Sequence, residues 1–206
     1  MEDASKVAGH TFLLSIILGV VVALLGVRFA PDILGLFSVE TAVYTQALDY
    51  LLITFIISPL ALGLYMAHSV FRGLGRTDIP MIIALVVNVV NVIGDFILVY
   101  GLWGFPRMEV AGAALATSLA HVVGFILAMV FLFRGNSGLR VNLAAIFKVN
   151  LSTYRGIFQL GIPSLAEQLF YTLANLASLF LIAYMGTLAF AAHELAITVE
   201  SVSYMP

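Results

Sequence analysis

The sequence predicts an all-α integral membrane protein with six transmembrane helices. Three observations carry that expectation. Of the 206 residues, 62% are hydrophobic and only 10% are charged, whereas a soluble domain carries about 25% charged residues. The apolar residues gather into six runs, each close to the roughly 20 residues that cross a bilayer's hydrocarbon core. The basic residues fall mostly into alternate connections between those runs, as they do when a chain weaves through a membrane. A soluble enzyme or nucleic-acid module is excluded, because so few polar groups cannot cover its surface. The net charge of −2 likewise offers nothing to neutralise a phosphate backbone. With no cysteine in the chain, disulfides, thiolate catalysis and iron–sulfur ligation are also excluded.

The elements follow in order. Residues 1–10 lack the basic start of a secretory signal and are kept as mature sequence. A first span is expected from Thr11 to Val27, ended by Arg28 and followed by an irregular, amphipathic stretch from Ala30 to Phe37. A second lies between Asp49 and Arg72, without Asp, Glu, Lys or Arg between them. The third runs from Pro80 to Leu102, with proline in the first turn, where its missing N–H costs nothing. Val110–Phe133 forms the fourth, Gly156–Gly186 the fifth, and a sixth begins at Ala189 and is still apolar at Pro206. Alternation puts Lys6, Arg72, Arg76, Arg134, Arg140, Lys148 and Arg155 on one side, leaving Arg28 and Arg107 on the other. The positive-inside rule makes the richer side cytoplasmic, with both termini there, in a cell membrane. The apolar stop at Pro206 and the loop-like first ten residues suggest part of a longer transporter.

Polar groups at membrane depth are costly and become functional candidates by default. On the third span Asn88, Asn91 and Asp95 fall within about 60° of one helical face. Counted from Leu102, Asp95 sits about 10 Å inside the outer end. Its carboxyl group can be neutralised there by a proton, or held ionised by a cation among the amides. Thr117 on the fourth span reaches nearly the same depth, with His121 one turn further. Gly112, Ala116, Ala120 and Gly124 recur every four residues on another face, the small-residue ladder that lets membrane helices approach closely. The fifth span carries a stripe of Ser164, Gln168, Tyr171, Asn175 and Ser178, with Glu167 beside it near mid-membrane. On the sixth, His193, Ile197, Glu200 and Tyr204 share a face. Glu167, Gln168, Tyr171, Asn175 and Glu200 are therefore expected to line a substrate cavity. His193-Glu194 lacks the second histidine of a zinc protease, and no metal site is expected.

The stretch Phe71-Arg72-Gly73-Leu74-Gly75-Arg76-Thr77-Asp78-Ile79-Pro80-Met81, followed by Asn88, Asn91 and Asp95, resembles the multidrug and toxic compound extrusion (MATE) family. So do Val110-Ala111-Gly112-Ala113-Ala114-Leu115-Ala116-Thr117, Leu160-Gly161-Ile162-Pro163 and Ala191-Ala192-His193. The resemblance implies a twelve-helix antiporter of two six-helix bundles, exporting organic cations or amphipathic drug-like compounds against inward H⁺ or Na⁺. It implies that residues 1–133 are the third to sixth helices, 134–155 a basic cytoplasmic link, and 156–206 the start of the second bundle. The rest of the same polypeptide would complete both bundles. Asp95 and Asn91 would belong to the first bundle's cation site, with Thr117 and Asn88 beside them, and no cofactor beyond the coupling ion is implied. Where some members carry a glutamate on the seventh helix, this chain has Tyr171, and Glu167 stands one turn earlier.

Two other functions compete. A flippase for a lipid-linked saccharide would line its cavity with arginines to grip pyrophosphate, yet no Arg or Lys lies within any expected span. An intramembrane enzyme would need a Ser–His or metal-ligand pair at common depth, and no span supplies a clear one.

Overall fold

Six α-helices and one short 3₁₀ turn make up the regular structure of the computed structural model, which describes residues 2–35, 40–134 and 151–204. The chain divides into two units, Met1–Asn150 and Leu151–Pro206. The first holds α1 (Glu2–Gly35), α2 (Thr41–Gly73), α3 (Asp78–Leu98) and α4 (Glu109–Phe133); the second holds α5 (Leu151–Tyr184) and α6 (Thr187–Tyr204). Five of these, α1 to α5, are long and apolar enough to cross a membrane. The sixth, only 18 residues long, does not reach that mark over its described residues. The basic link expected at 134–155 falls largely outside the described residues, and Arg140 and Lys148 fall there too.

Two expected boundaries are corrected. The stretch after Arg28 is not irregular: α1 runs on to Gly35 with Pro31 inside it. Proline removes one backbone donor, and local contacts hold the turn together. Arg28 Nη1 bonds Asp32 Oδ2 at 3.1 Å across it, and the Tyr44 hydroxyl donates to the Pro31 carbonyl at 3.4 Å. The third helix stops at Leu98 rather than Leu102, because Gly101 turns left-handed at φ +71°. A Cβ at Gly101 would stand 2.9 Å from the Arg107 nitrogen, so the hairpin closes only around a glycine. Apolarity carries on to Leu102, and hydropathy alone therefore overruns the end.

The first unit is a row of helices in the order α1, α2, α4, α3, each packed on the next, with α2 touching α3 only lightly. Small residues on α4 make the row tight. Gly112, Ala116, Ala120 and Gly124 are all buried, as the ladder predicts. A Cβ at Gly112 would lie 2.7 Å from the Leu98 carbonyl oxygen, and one at Gly124 only 2.5 Å from Val87 and 3.0 Å from Leu64. Helices α2, α3 and α4 therefore converge on Gly124.

At the α1–α2 crossing, Pro59 leaves the Phe55 carbonyl without its amide donor. The Ser58 hydroxyl, shared between two acceptors, reaches that oxygen at 2.7 Å and the Gly19 carbonyl of α1 at 2.9 Å. The hydrophobic core gathers at one end of the unit, where Ala8, Leu64, Ala67, Phe71, Ile79, Ile83, Ala128 and Leu132 pack together.

Candidate functional site

Asp95 lies four residues after Asn91 on α3, hence on the same face. Because α3 ends at Leu98, the acid sits about 4.5 Å from the last helical residue, shallower than the roughly 10 Å that counting from Leu102 gives. Beside it, Gly94 lets α4 come so close that an added Cβ would lie 2.9 Å from the Ala116 Cβ. That approach brings the polar groups of the two helices within reach. Asn91 Nδ2 donates to Thr117 Oγ1 at 3.1 Å. The Thr117 carbonyl oxygen in turn lies 2.8 Å from His121 Nδ1. A carbonyl can only accept, so Nδ1 carries the proton. The Tyr65 ring, from α2, meets the His121 imidazole in a T-shaped contact with centroids 6.4 Å apart.

Asp95 itself is half-buried, and its Oδ1 is buried without a hydrogen-bond partner among the described residues. An acceptor oxygen in that position forfeits hydration with nothing in return, at a cost of about 1–3 kcal/mol or more. A hydrogen-bond donor or a small cation relieves that cost; an apolar neighbour cannot. Asn88 is not part of the cluster. It is exposed on α3 and makes no hydrogen bond among the described residues, although the helical period places it with Asn91 and Asp95.

In the second unit, Tyr171 and Asn175 of α5 face His193, Ile197, Glu200 and Ser201 of α6 across a crevice of about 330 Å³. Asn175 Nδ2 donates to the Tyr171 carbonyl at 3.0 Å, one turn back along the helix. Of the residues expected to line a cavity, Tyr171, Asn175 and Glu200 are thus brought together. Glu167 and Gln168 are exposed on α5 and do not line the crevice. His193 joins it unpredicted, although its face-sharing with Glu200 was the available signal. His68 on α2 was also overlooked: its Nε2 is buried without a partner among the described residues. Counting histidines along with acids and bases at membrane depth would have raised it. Among the described residues no three His, Asp or Glu side chains gather as metal ligands would.

At the ends of the spans the charges pair in solvent. Arg76 Nη2 lies 2.9 Å from Asp78 Oδ2, and those hydrogen bonds hold the Arg76 guanidinium above its ordinary pKa. At the other end, Glu109 accepts from Gln46 Nε2 at 3.2 Å and pairs with Arg107 at 3.4 Å, tying the starts of α2 and α4 together.

Long apolar helices, five of them able to cross a membrane, define a multi-pass α-helical membrane protein. Comparison with known proteins narrows the class. The MatE family model matches residues 1–97. The chain is 30% identical to the uncharacterized transporter YisQ of Bacillus subtilis over 92% of its own length and 40% of that protein's. It is 34% identical to NorM of Thermotoga maritima, named a probable multidrug resistance protein, over 67% of its own length and 29% of that protein's. A solved structure of a MATE protein in a bent conformation superposes with a TM-score of 0.86 at 24% identity, covering 98% of this chain and 44% of that one. The chain is thus similar to the MATE family over residues 1–97 and, more widely, to proteins named as transporters rather than enzymes. It spans less than half the length of these relatives.

Proposed function

We propose that the protein exports organic cations or other amphipathic small molecules from the cell, in exchange for H⁺ or Na⁺, by alternating access. The carrying observation is the buried, partnerless Oδ1 of Asp95 beside the Asn91–Thr117 hydrogen bond. Binding of a small cation there neutralises a carboxylate that is otherwise costly at that depth. Coupling follows if the ion and the substrate prefer opposite states, so that loading one expels the other. The first unit then belongs to one bundle and the second unit opens the other, with further helices of the same polypeptide completing both. Tyr171, Asn175 and Glu200 supply substrate contacts, the carboxylate favouring a cationic guest and the ring stacking on it. The basic bias supports an orientation with both ends of this chain on the cytoplasmic side of the plasma membrane.

The test is Asp95→Asn in the full-length protein, reconstituted in vesicles with an imposed H⁺ or Na⁺ gradient. Gradient-driven efflux of a fluorescent organic cation is expected to fall to the protein-free background, while Asn88→Ala leaves it unchanged. Undiminished efflux by the Asp95 variant removes the assignment.

A further inference from the structure

We infer that the turn between α3 and α4 is seated in the lipid headgroup layer, with the indole of Trp103 as its anchor. The turn is unusually apolar for an exposed segment: Trp103 is 85% exposed, Tyr100 64% and Phe105 53%. These side chains continue a stripe on α3 in which Met81, Leu85, Val89, Val92 and Phe96 are all exposed at spacings of three and four. One apolar surface therefore runs along the membrane span and over its end without a break. Phe96 stacks on Tyr100 with centroids 5.9 Å apart, joining the helix to the turn.

The far side of the turn is charged, with Arg107 and Glu109 paired in the open at 3.4 Å. A segment with aromatic rings on one flank and an ion pair on the other matches the layer between acyl chains and water. Tryptophan suits that layer because its ring is apolar and its N–H still needs an acceptor. The backbone fixes the presentation. Among the described residues the non-glycine positions with positive φ are Trp103 at +60° and Glu109 at +48°, and Gly101 and Gly104 are left-handed as well. Such conformations persist only where the surroundings hold them, and they turn the indole outward from the protein. The inference does not depend on which leaflet is cytoplasmic, nor on transport.

Trp103 is the single tryptophan of the chain, which makes it its own reporter. The full-length protein is placed in phosphatidylcholine vesicles, with Trp103→Phe as the blank, and the difference emission is read. Emission blue-shifted from that of indole in water is expected. Lipids brominated near the glycerol end should quench it roughly twofold more than lipids brominated near the methyl end. Strong quenching by aqueous iodide with none by brominated lipid would put the turn in water and overturn the inference. Quenching by neither would mean that protein covers the indole, and strongest quenching by the deep bromines would bury it in acyl chains; either result overturns it equally.

Discussion

Thr117 is where the polar groups of two helices meet. Its hydroxyl oxygen accepts from Asn91 and its carbonyl accepts from His121. Thr117→Val keeps the shape and removes the acceptor, stranding the Asn91 amide at a cost of about 1 kcal/mol. If Asn91 helps hold the coupling ion, the apparent affinity for that ion falls about fivefold, while the maximal efflux rate is retained. Thr117→Ser, which keeps the oxygen, restores it. Titrating gradient-free substrate release against ion concentration separates the two variants. Equal affinity in the valine and serine variants would show that Asn91 acts elsewhere. Asp95→Asn is expected to have the larger effect on the same titration, because under the proposed coupling it removes the anion itself.

The seam between α3 and α4 decides whether those groups can meet at all. Gly112 stands against the Leu98 carbonyl at the last turn of α3, 2.7 Å from where a Cβ would be. Gly112→Val must push the backbones apart, at about 1–3 kcal/mol. A lowered melting temperature in detergent is expected, together with weaker ion coupling because Asn91 loses reach of Thr117. An unchanged melting curve would mean that the seam is loose. This seam was legible in the sequence, because the spacing of four in Gly112, Ala116, Ala120 and Gly124 has few other uses in a lipid-exposed helix. The continuity of α1 through Pro31 was not legible, since it rests on the Arg28–Asp32 bridge and on Tyr44 reaching back from the next helix. Nor was the exposure of Asn88: periodicity assigns a residue to a face, and only the neighbouring helices decide how far round that face is covered. In the second unit the period drew a stripe along α5, and α6 covered only part of it.

For the whole molecule, charge gives an expected orientation that labelling can test. Seven of nine basic residues fall to one side of the expected weave, and the structure holds α2 and α4 parallel, so that Arg72 and Arg134 share an end of the first unit. This chain has no cysteine, so a cysteine introduced here is compared with the unsubstituted protein as its blank. In intact cells, a membrane-impermeant maleimide is expected to label Arg107→Cys; Arg134→Cys should react only after permeabilisation. The reverse pattern would invert the topology. Losing the exposed Arg107–Glu109 pair costs little stability. The largest fully buried side chains among the described residues, Phe71, Ile79, Ile83, Leu132 and His10, belong to the arginine-bearing end of this unit. At the opposite end the contacts are between smaller groups: Gly112 on the Leu98 carbonyl, Gln46 on Glu109 and Tyr44 on Pro31. Four rods wedged by bulky side chains at one tip and joined by smaller contacts at the other have the shape of tweezers, hinged at the bulky end, and Asp95 rides near the other tip.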